Sequence, residues 1–160
     1  MGLEFRVSRD VLSEFPGLGL AWRLFERVSD PTAGAAPQVT PPADVSLETL
    51  KDHPVVRAYR DLSWRVGIDP TKRRPSGEAL ARRVLGGQSL PRIHPLVDAY
   101  NRASAATLVP LSAFDAETLR TRGTPLLARA TAGEPFHGIA REPEELNGHC
   151  LLYTSDAADE

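Results

Sequence analysis

Apolar residues recur at helical spacing through the middle of the chain. The first such stretch follows His53-Pro54, where a proline is tolerated in the first turn of a helix. One face of this stretch carries residues one turn apart that favour burial: Val55, Tyr59, Leu62 and Val66. Gly67 marks the predicted end of the helix. Trp64 lies off the apolar face, and we interpret it either as a side-packing residue or as a stacking surface.

Two further helices are predicted downstream. Ser76 is a good N-cap for the first of them, Glu78 suits the positive end of the helix dipole, and Gly86-Gly87 terminates it. The second covers about Leu96 to Thr107, after Pro95. Its shared face is formed by Leu96, Tyr100, Ala103 and Thr107.

Alternating apolar and polar residues near the start of the chain predict strands. Leu3, Phe5 and Val7 alternate with polar neighbours, and Ser8 offers a cap for a brief helical turn. A second alternation consists of Leu18, Leu20, Trp22 and Leu24. We expect these to be two strands of one sheet, with Trp22 in the core.

A β-hairpin is predicted further along the chain. One run starts at Pro125, a turn falls at Ala132-Gly133, and a second run passes through Phe136 and Ile139. Strands at both ends with helices between them favour an α+β fold. We therefore expect one domain, a mixed or antiparallel sheet packed with helices.

Composition changes this outline at two places. Residues 29–46 are rich in proline and alanine with few large apolar residues, which predicts an exposed loop. Residues 149–160 include "CLLYTSDAADE", which fits an in-frame translation of a sequencing adapter; a genuine disordered acidic tail is the alternative. On the first interpretation residues 1–148 are the natural domain, incomplete at its C-terminus.

The sequence gives little support for a metal-binding protein or a membrane protein. Cys150 is the only cysteine, and His53, His94, His137 and His149 lack a metal-ligand spacing. We therefore expect no cofactor and no metal. No apolar stretch approaches the length of a membrane helix, so a cytoplasmic protein without a membrane partner is expected.

The formal net charge of −2 hides an uneven distribution. Between Arg57 and Arg102 there are ten basic residues against four acidic ones. Five of the basic residues flank or lie in the second predicted helix: Lys72, Arg73, Arg74, Arg82 and Arg83. These residues either contact phosphates, or are simply solvated while Arg82 and Arg83 satisfy the helix C-terminus and pair with Asp69 or Glu78.

The stretch "PRIHPLVDAYNRASAATLVPLSAFDAETL" resembles the B3/B4 domain of the bacterial phenylalanyl-tRNA synthetase beta subunit. Without a gap, it places six residues on that family's motif: Val97, Asp98, Asn101, Pro110, Phe114 and Asp115. The likeness extends from about Asp69 to Ile139, and the whole chain looks more like free-standing proteins built from this domain. Ser112 stands where the motif has a histidine, and Leu108 replaces its glycine.

The resemblance implies a module that receives the charged end of tRNA and hydrolyses a wrongly attached amino acid. Asp98, Asn101 and Ser112 would then line the pocket, with Asn101 and Ser112 as candidates for orienting water. The five basic residues would lie near the RNA backbone. Serine cannot be protonated near neutral pH as imidazole can, and the family's later glutamate would fall beyond the expected truncation. We therefore expect this fragment to be inactive as a deacylase even if the full gene product is active.

Three interpretations follow. The leading one is a module that binds tRNA or aminoacyl-tRNA, with ester hydrolysis as its candidate chemistry and no DNA partner. The second is a module that binds an amino acid or another small molecule without RNA. The third keeps the fold and leaves Asp98 and Asn101 as satisfied interior polar groups. The leading interpretation expects Asn101 and the guanidinium groups of Arg82 and Arg83 in a common cleft.

Overall fold

The computed structural model describes residues 4–25, 39–122, 125–136, 144–146 and 150–154. Its elements in chain order are β1 (Arg6–Val7), α1 (Arg9–Glu14), a 3-10 helix (Leu50–Asp52), α2 (Pro54–Arg65), α3 (Ser76–Leu85), α4 (Pro95–Thr107), α5 (Ala116–Arg122), β2 (Pro125–Arg129), β3 (Glu134–Phe136), β4 (Glu144–Leu146) and β5 (Cys150–Thr154). The chain divides into two compact units. A sheet unit contains residues 1–26 and 114–160, and a helical unit contains residues 27–113.

The sheet unit holds a three-stranded sheet in the order β1-β2-β5 and a separate β3-β4 pair. β1 runs parallel to β2, whereas β5 runs antiparallel to it. Helix α1 follows Ser8, as predicted, and buries Val11 completely, while Phe15 just after it is almost completely buried. Arg129 of β2 pairs with Glu14 of α1 through both carboxylate oxygens. The prediction of an α+β fold is confirmed, and the three-stranded sheet is mixed.

Three predictions about the sheet unit are wrong. Residues 18–24 form no strand, because β1 has β2 as its partner and the alternating segment pairs with no described strand. Trp22 is 46% exposed and stacks at a tilt on Phe5, with 5.0 Å between ring centroids, so it is not a core residue. The predicted hairpin is also different: the turn exists, with Gly133 at φ +81°, but β3 pairs with β4 and not with β2.

The carboxyl-terminal segment and the proline-rich loop lie partly outside the described residues. Cys150–Thr154 is β5, paired with β2 over five residue positions, although its sequence indicated no strand. Residues 155–160 and 147–149 are outside the described residues, as are residues 29–38 of the predicted loop. The assignment of 149–160 as an adapter-derived tail stays a prediction.

The core of the helical unit is a small apolar cluster. It contains Val45, Leu50, Val56, Ala81 and Leu108, each at most 9% exposed. Val45 belongs to the segment predicted as an exposed loop, so that prediction is wrong for its C-terminal end. The reason is that the Val45 side chain is buried in the apolar cluster, which removes apolar surface from water.

Helices α2 and α3 end at the predicted glycines. Gly67 has φ +80° and Gly87 has φ +72°, conformations that glycine adopts without steric cost. At its start, α2 is capped by His53, whose Nδ1 accepts a hydrogen bond of 3.3 Å from the Val55 amide. At the start of α3, Pro75 occupies the N-cap and no side chain caps the helix, so the N-cap prediction for Ser76 was displaced by one residue.

Helices α3 and α4 approach most closely at Gly77 and Leu108. A Cβ atom on Gly77 would lie 2.5 Å from the carbonyl carbon of Leu108, closer than van der Waals contact allows. Leu108 is buried and ends α4 with φ 63°, in the left-handed region. Non-glycine residues are uncommon there, and Leu108 is the position where the resembled motif has glycine. None of the described helices combines the length and apolar character needed to cross a membrane.

Candidate functional site

The carboxylate of Glu78 is the centre of the charged site in the helical unit. Glu78 lies in the first turn of α3 and is 0% exposed. The sequence predicts that Glu78 interacts with the helix dipole or pairs with Arg82 or Arg83, and it does not predict that Glu78 is buried. A buried carboxylate needs charged and hydrogen-bonding partners, since removing it from water is costly. Glu78 therefore has to be described together with its neighbours.

Three arginines converge on Glu78. Arg60 of α2 donates from Nε to Oε2 at 2.8 Å and from Nη2 to Oε1 at 2.7 Å, a bidentate pair. Arg74 Nε and Arg82 Nη2 each lie 3.9 Å from Oε1. We call Arg60, Arg74 and Arg82 around Glu78 the arginine cluster.

The arginine cluster carries a net charge of +2, because three cations meet one anion. The hydrogen bonds to Glu78 raise the pKa of Arg60 above its usual value. The side chains of Arg74 and Arg82 are 44% and 35% exposed, so both are partly accessible to solvent. In addition, Arg82 Nε is buried without a hydrogen-bond partner among the described residues. The cluster thus combines a buried carboxylate with two partly exposed arginines.

Part of this arrangement was visible in the sequence. Arg74 and Arg82 stand four residues before and after Glu78, the spacing of neighbours on a helix surface, and pairing of Arg82 with Glu78 was one of the alternatives considered. The essential partner, Arg60, stands eighteen residues from Glu78. No local spacing could have identified it, because the contact depends on how α2 packs on α3.

The other predicted phosphate contacts are arranged differently. Lys72 and Arg73 are exposed in a turn whose amides donate to the carbonyl of Asp69 at 3.1 and 2.9 Å. Arg83 points its Nε to the carbonyl oxygen of Ser89, at 2.7 Å. That bond connects α3 with the segment that follows it, so the Arg83 guanidinium has a hydrogen-bond partner within the protein.

A cleft lies beside this following segment. Its volume is ≈560 Å³. It is lined by Val39, Val84, Gly87, Gln88, Ser89, Leu90, Pro91, Arg92, Asp98 and Arg102. The segment 87–92 forms one wall. Arg83 binds it at Ser89, and just after it the Ile93 amide donates to Asp98 Oδ1 at 2.9 Å.

The cleft takes one of the predicted pocket residues. Asp98 lines it together with Arg102, one helical turn later on α4. Asn101 is half-buried and is not among the lining residues. At ~100° per residue, its side chain leaves the helix about 60° away from that of Asp98 and about 100° away from that of Arg102. Ser112 is exposed after the end of α4 and does not line the cleft.

We expected Asn101, Arg82 and Arg83 to face one common cleft, but none of the three lines it. Val84 is the residue of α3 that lines the cleft. Arg82 lies on another side of that helix and belongs to the arginine cluster. Two basic residues that the sequence analysis did not single out, Arg92 and Arg102, line the cleft instead. The one sequence signal for Arg92 and Arg102 is that they belong to the basic segment between Arg57 and Arg102.

Two other motif residues, Phe114 and Asp115, come directly before α5. Asp115 caps α5: its Oδ1 accepts hydrogen bonds from the amides of Glu117 and Thr118 at 2.8 and 3.0 Å. Phe114 is 51% exposed. Within the described ranges, no three histidine, cysteine or acidic side chains come together to hold a metal ion.

Comparison with protein families gives one match. A sequence model described as the B3/4 domain matches residues 58–159, which is more than half of the chain. The matched range starts within α2 and includes the arginines at 60, 74 and 82 as well as most of the cleft lining. Comparisons with curated proteins and with solved structures found no match.

Proposed function

The chain belongs to the B3/4 domain family, and on that premise we propose that it binds tRNA or the aminoacyl end of tRNA. The observation that carries the proposal is the arginine cluster: three guanidinium groups meet at one buried carboxylate and keep a net charge of +2. The likeness of residues 69–139 to the synthetase B3/B4 domain gives the class of ligand. We also propose that this chain is related to the beta subunit of that synthetase.

Phosphate diesters suit the arginine cluster for two physical reasons. A planar guanidinium presents paired donors that match phosphate oxygens, and such contacts bind the backbone without reading its sequence. The Glu78 carboxylate attracts the guanidinium groups of Arg74 and Arg82 and keeps them near each other, so less side-chain entropy is lost when a phosphate binds. Arg74 and Arg82 supply the contacts, while Arg60 mainly neutralises the buried carboxylate.

The cleft supports binding of the aminoacyl end. Its ≈560 Å³ lies within the range of roughly 300–1,000 Å³ that is usual for small-molecule sites. Asp98 offers a carboxylate to an α-amino group, and Arg92 and Arg102 offer donors to a phosphate or carbonyl oxygen. Asn101 and Ser112 do not line the cleft, and they stay candidates for orienting a water molecule on the ground of the family resemblance alone.

The test is tRNA binding at increasing salt concentration, for the wild type and for the double variant Arg74→Ala/Arg82→Ala. Loss of two phosphate contacts should weaken binding at low salt and should flatten the plot of log K against log salt by about 1.8, near 0.9 per contact. Arg120→Ala is the matched control, since Arg120 is exposed and pairs only loosely with Glu117 at 3.9 Å. Equal affinities and slopes for all three proteins would contradict the proposal.

The cleft also favours a second candidate function, binding of a free amino acid without RNA. Asp98 and Arg102 provide opposite charges on one helix face, which suits a zwitterion. Such binding should respond to Asp98→Asn and should change little with salt. A deacylation assay with mischarged tRNA under single-turnover conditions then tests whether the RNA-bound protein is also a hydrolase, with Asn101→Ala and Ser112→Ala as the informative variants.

A further inference from the structure

Trp64 is an exposed aromatic residue that the fold does not use. It lies in the last turn of α2 and is 56% exposed. It makes no ring-stacking or cation–π contact with the described residues, in contrast to Trp22, which stacks on Phe5. With more than half of its surface exposed, Trp64 fits the interpretation as a stacking surface better than that as a side-packing residue. A tryptophan ring largely left in water is available for a ligand.

The backbone of Trp64 is held firmly although its ring is exposed. Helix α2 ends in a Schellman motif: the Ile68 amide donates to the Ser63 carbonyl at 2.8 Å, and the Gly67 amide donates to the Trp64 carbonyl at 3.1 Å. Positive φ at Gly67 permits this geometry. The ring thus stands on a fixed helix end.

The same face of α2 carries the basic side chains. Arg57, Arg60 and Trp64 occupy positions i, i+3 and i+7, so that they form one row along the helix. Trp64 and Arg60, four residues apart, are direct neighbours on this surface, with roughly 5–6 Å between Cβ atoms in such pairs. Arg60 in turn is bound to Glu78, which Arg74 and Arg82 also approach. The exposed ring of Trp64 therefore neighbours Arg60, the member of the arginine cluster that lies on α2.

We propose that this face binds one unpaired nucleotide step of RNA, with a base stacked on Trp64 and adjacent phosphates on Arg74 and Arg82. The inference rests on the proposed function and identifies a contact beyond the acceptor end. A duplex would not fit this description, because its bases are already stacked on each other. Base–aromatic stacking beside a basic groove is the usual chemistry of sequence-tolerant single-strand binding.

The chain offers a direct spectroscopic test, because Trp22 and Trp64 are its two tryptophans. In a Trp22→Phe background, fluorescence reports on Trp64 alone. A uridine or adenosine decanucleotide should quench this emission, whereas a matched RNA duplex and inorganic polyphosphate should leave it largely unchanged. In the otherwise wild-type chain, Trp64→Ala should weaken decanucleotide binding about tenfold, and Trp64→Phe should retain most of the affinity.

The outcomes separate this inference from the function on which it rests. If Trp64→Ala binds the decanucleotide as tightly as the wild type while Arg74→Ala/Arg82→Ala binds tRNA weakly, the stacking inference is wrong and the proposed function stands. If polyphosphate quenches Trp64 as strongly as the decanucleotide does, the site recognises charge alone and the inference is also overturned. If tRNA binding is unaffected by the double arginine variant, the proposed function fails as well.

Discussion

Arg60 donates hydrogen bonds of 2.8 and 2.7 Å to the two carboxylate oxygens of Glu78, which is completely buried between helices α2 and α3. The pair connects two helices whose own sequences give no sign of the contact. It also fixes the charge around which Arg74 and Arg82 are placed. A buried pair of this kind is costly to break, because one partner is then left charged and poorly solvated.

Glu78→Gln should therefore destabilise the protein strongly. The amide keeps the size of the side chain but removes the negative charge from among three guanidinium groups. We expect a loss of about 3 kcal/mol in the free energy of unfolding, measured by urea denaturation. Glu117→Gln, which affects an exposed pair with Arg120, should cost less than about 1 kcal/mol. Similar losses for the two variants would show that burial of the pair does not matter.

Gly77→Ala should damage the packing of α3 against α4. The added methyl group would overlap the Leu108 carbonyl, which is backbone and cannot move without shifting the end of α4. We expect a loss of about 1–3 kcal/mol, seen as a lower urea midpoint. Gly19→Ala is the matched control, since its Cβ would meet nothing within 4 Å; a change within about 0.5 kcal/mol is expected there. A neutral Gly77→Ala would mean that the two helices can separate at no cost.

Arg83→Ala should loosen the wall of the cleft. Without the bond from Arg83 Nε to the Ser89 carbonyl, segment 87–92 keeps the backbone hydrogen bonds of Gly87 and Gln88 to the end of α3 and the bond between the Ile93 amide and Asp98, but its middle loses a contact. Hydrogen–deuterium exchange of this segment should rise, while global stability should fall by no more than about 1 kcal/mol because Arg83 is exposed. Arg120→Ala should leave exchange in the segment unchanged. If exchange is equally slow in Arg83→Ala, the contact does not position the wall.

Asp69 gives a prediction for acidic pH. The Thr71 hydroxyl donates to Asp69 Oδ1 at 2.7 Å and the Thr71 amide does so at 2.8 Å, and these bonds lower the pKa of Asp69. Because the folded pKa is below the unfolded one, the stabilisation is complete above the ordinary value near 3.9 and is lost as the pH falls through the folded pKa. Thr71→Val should move the pKa of Asp69 upwards, as followed by carboxyl-carbon NMR. Thr121→Val, whose hydroxyl bonds only backbone carbonyls, should leave it unchanged.

The sequence predicted local features well and long-range contacts poorly. The helices around Val56, Ala81 and Ser104 could be located from periodicity and stop signals, because both depend on neighbouring residues. The partnership of Glu78 with Arg60 could not, since it depends on how two helices pack. The alternating segment at 18–24 looked like a strand, yet alternation becomes a strand only where a partner edge exists.

The candidate site shows the same division. Arg74 and Arg82 were chosen for their charge, and the structure places both beside Glu78. The family resemblance indicates Asn101 as a site residue, but Asn101 does not line the cleft. Asp98 and Arg102 of the same helix line it. A helical spacing of three or four residues decides which side chains share a face, but the packing of the helix decides which face meets the cleft.

Val45 bears on how the helical unit can be studied separately. Its side chain belongs to the same apolar cluster as Leu50 and Leu108, and Val39 lines the cleft. Although composition places both residues in a linker-like stretch, a separately expressed helical unit has to start upstream of Val39. A version cut at Ser46 would lack part of its own interior and would be expected to precipitate or to resist purification as a folded species.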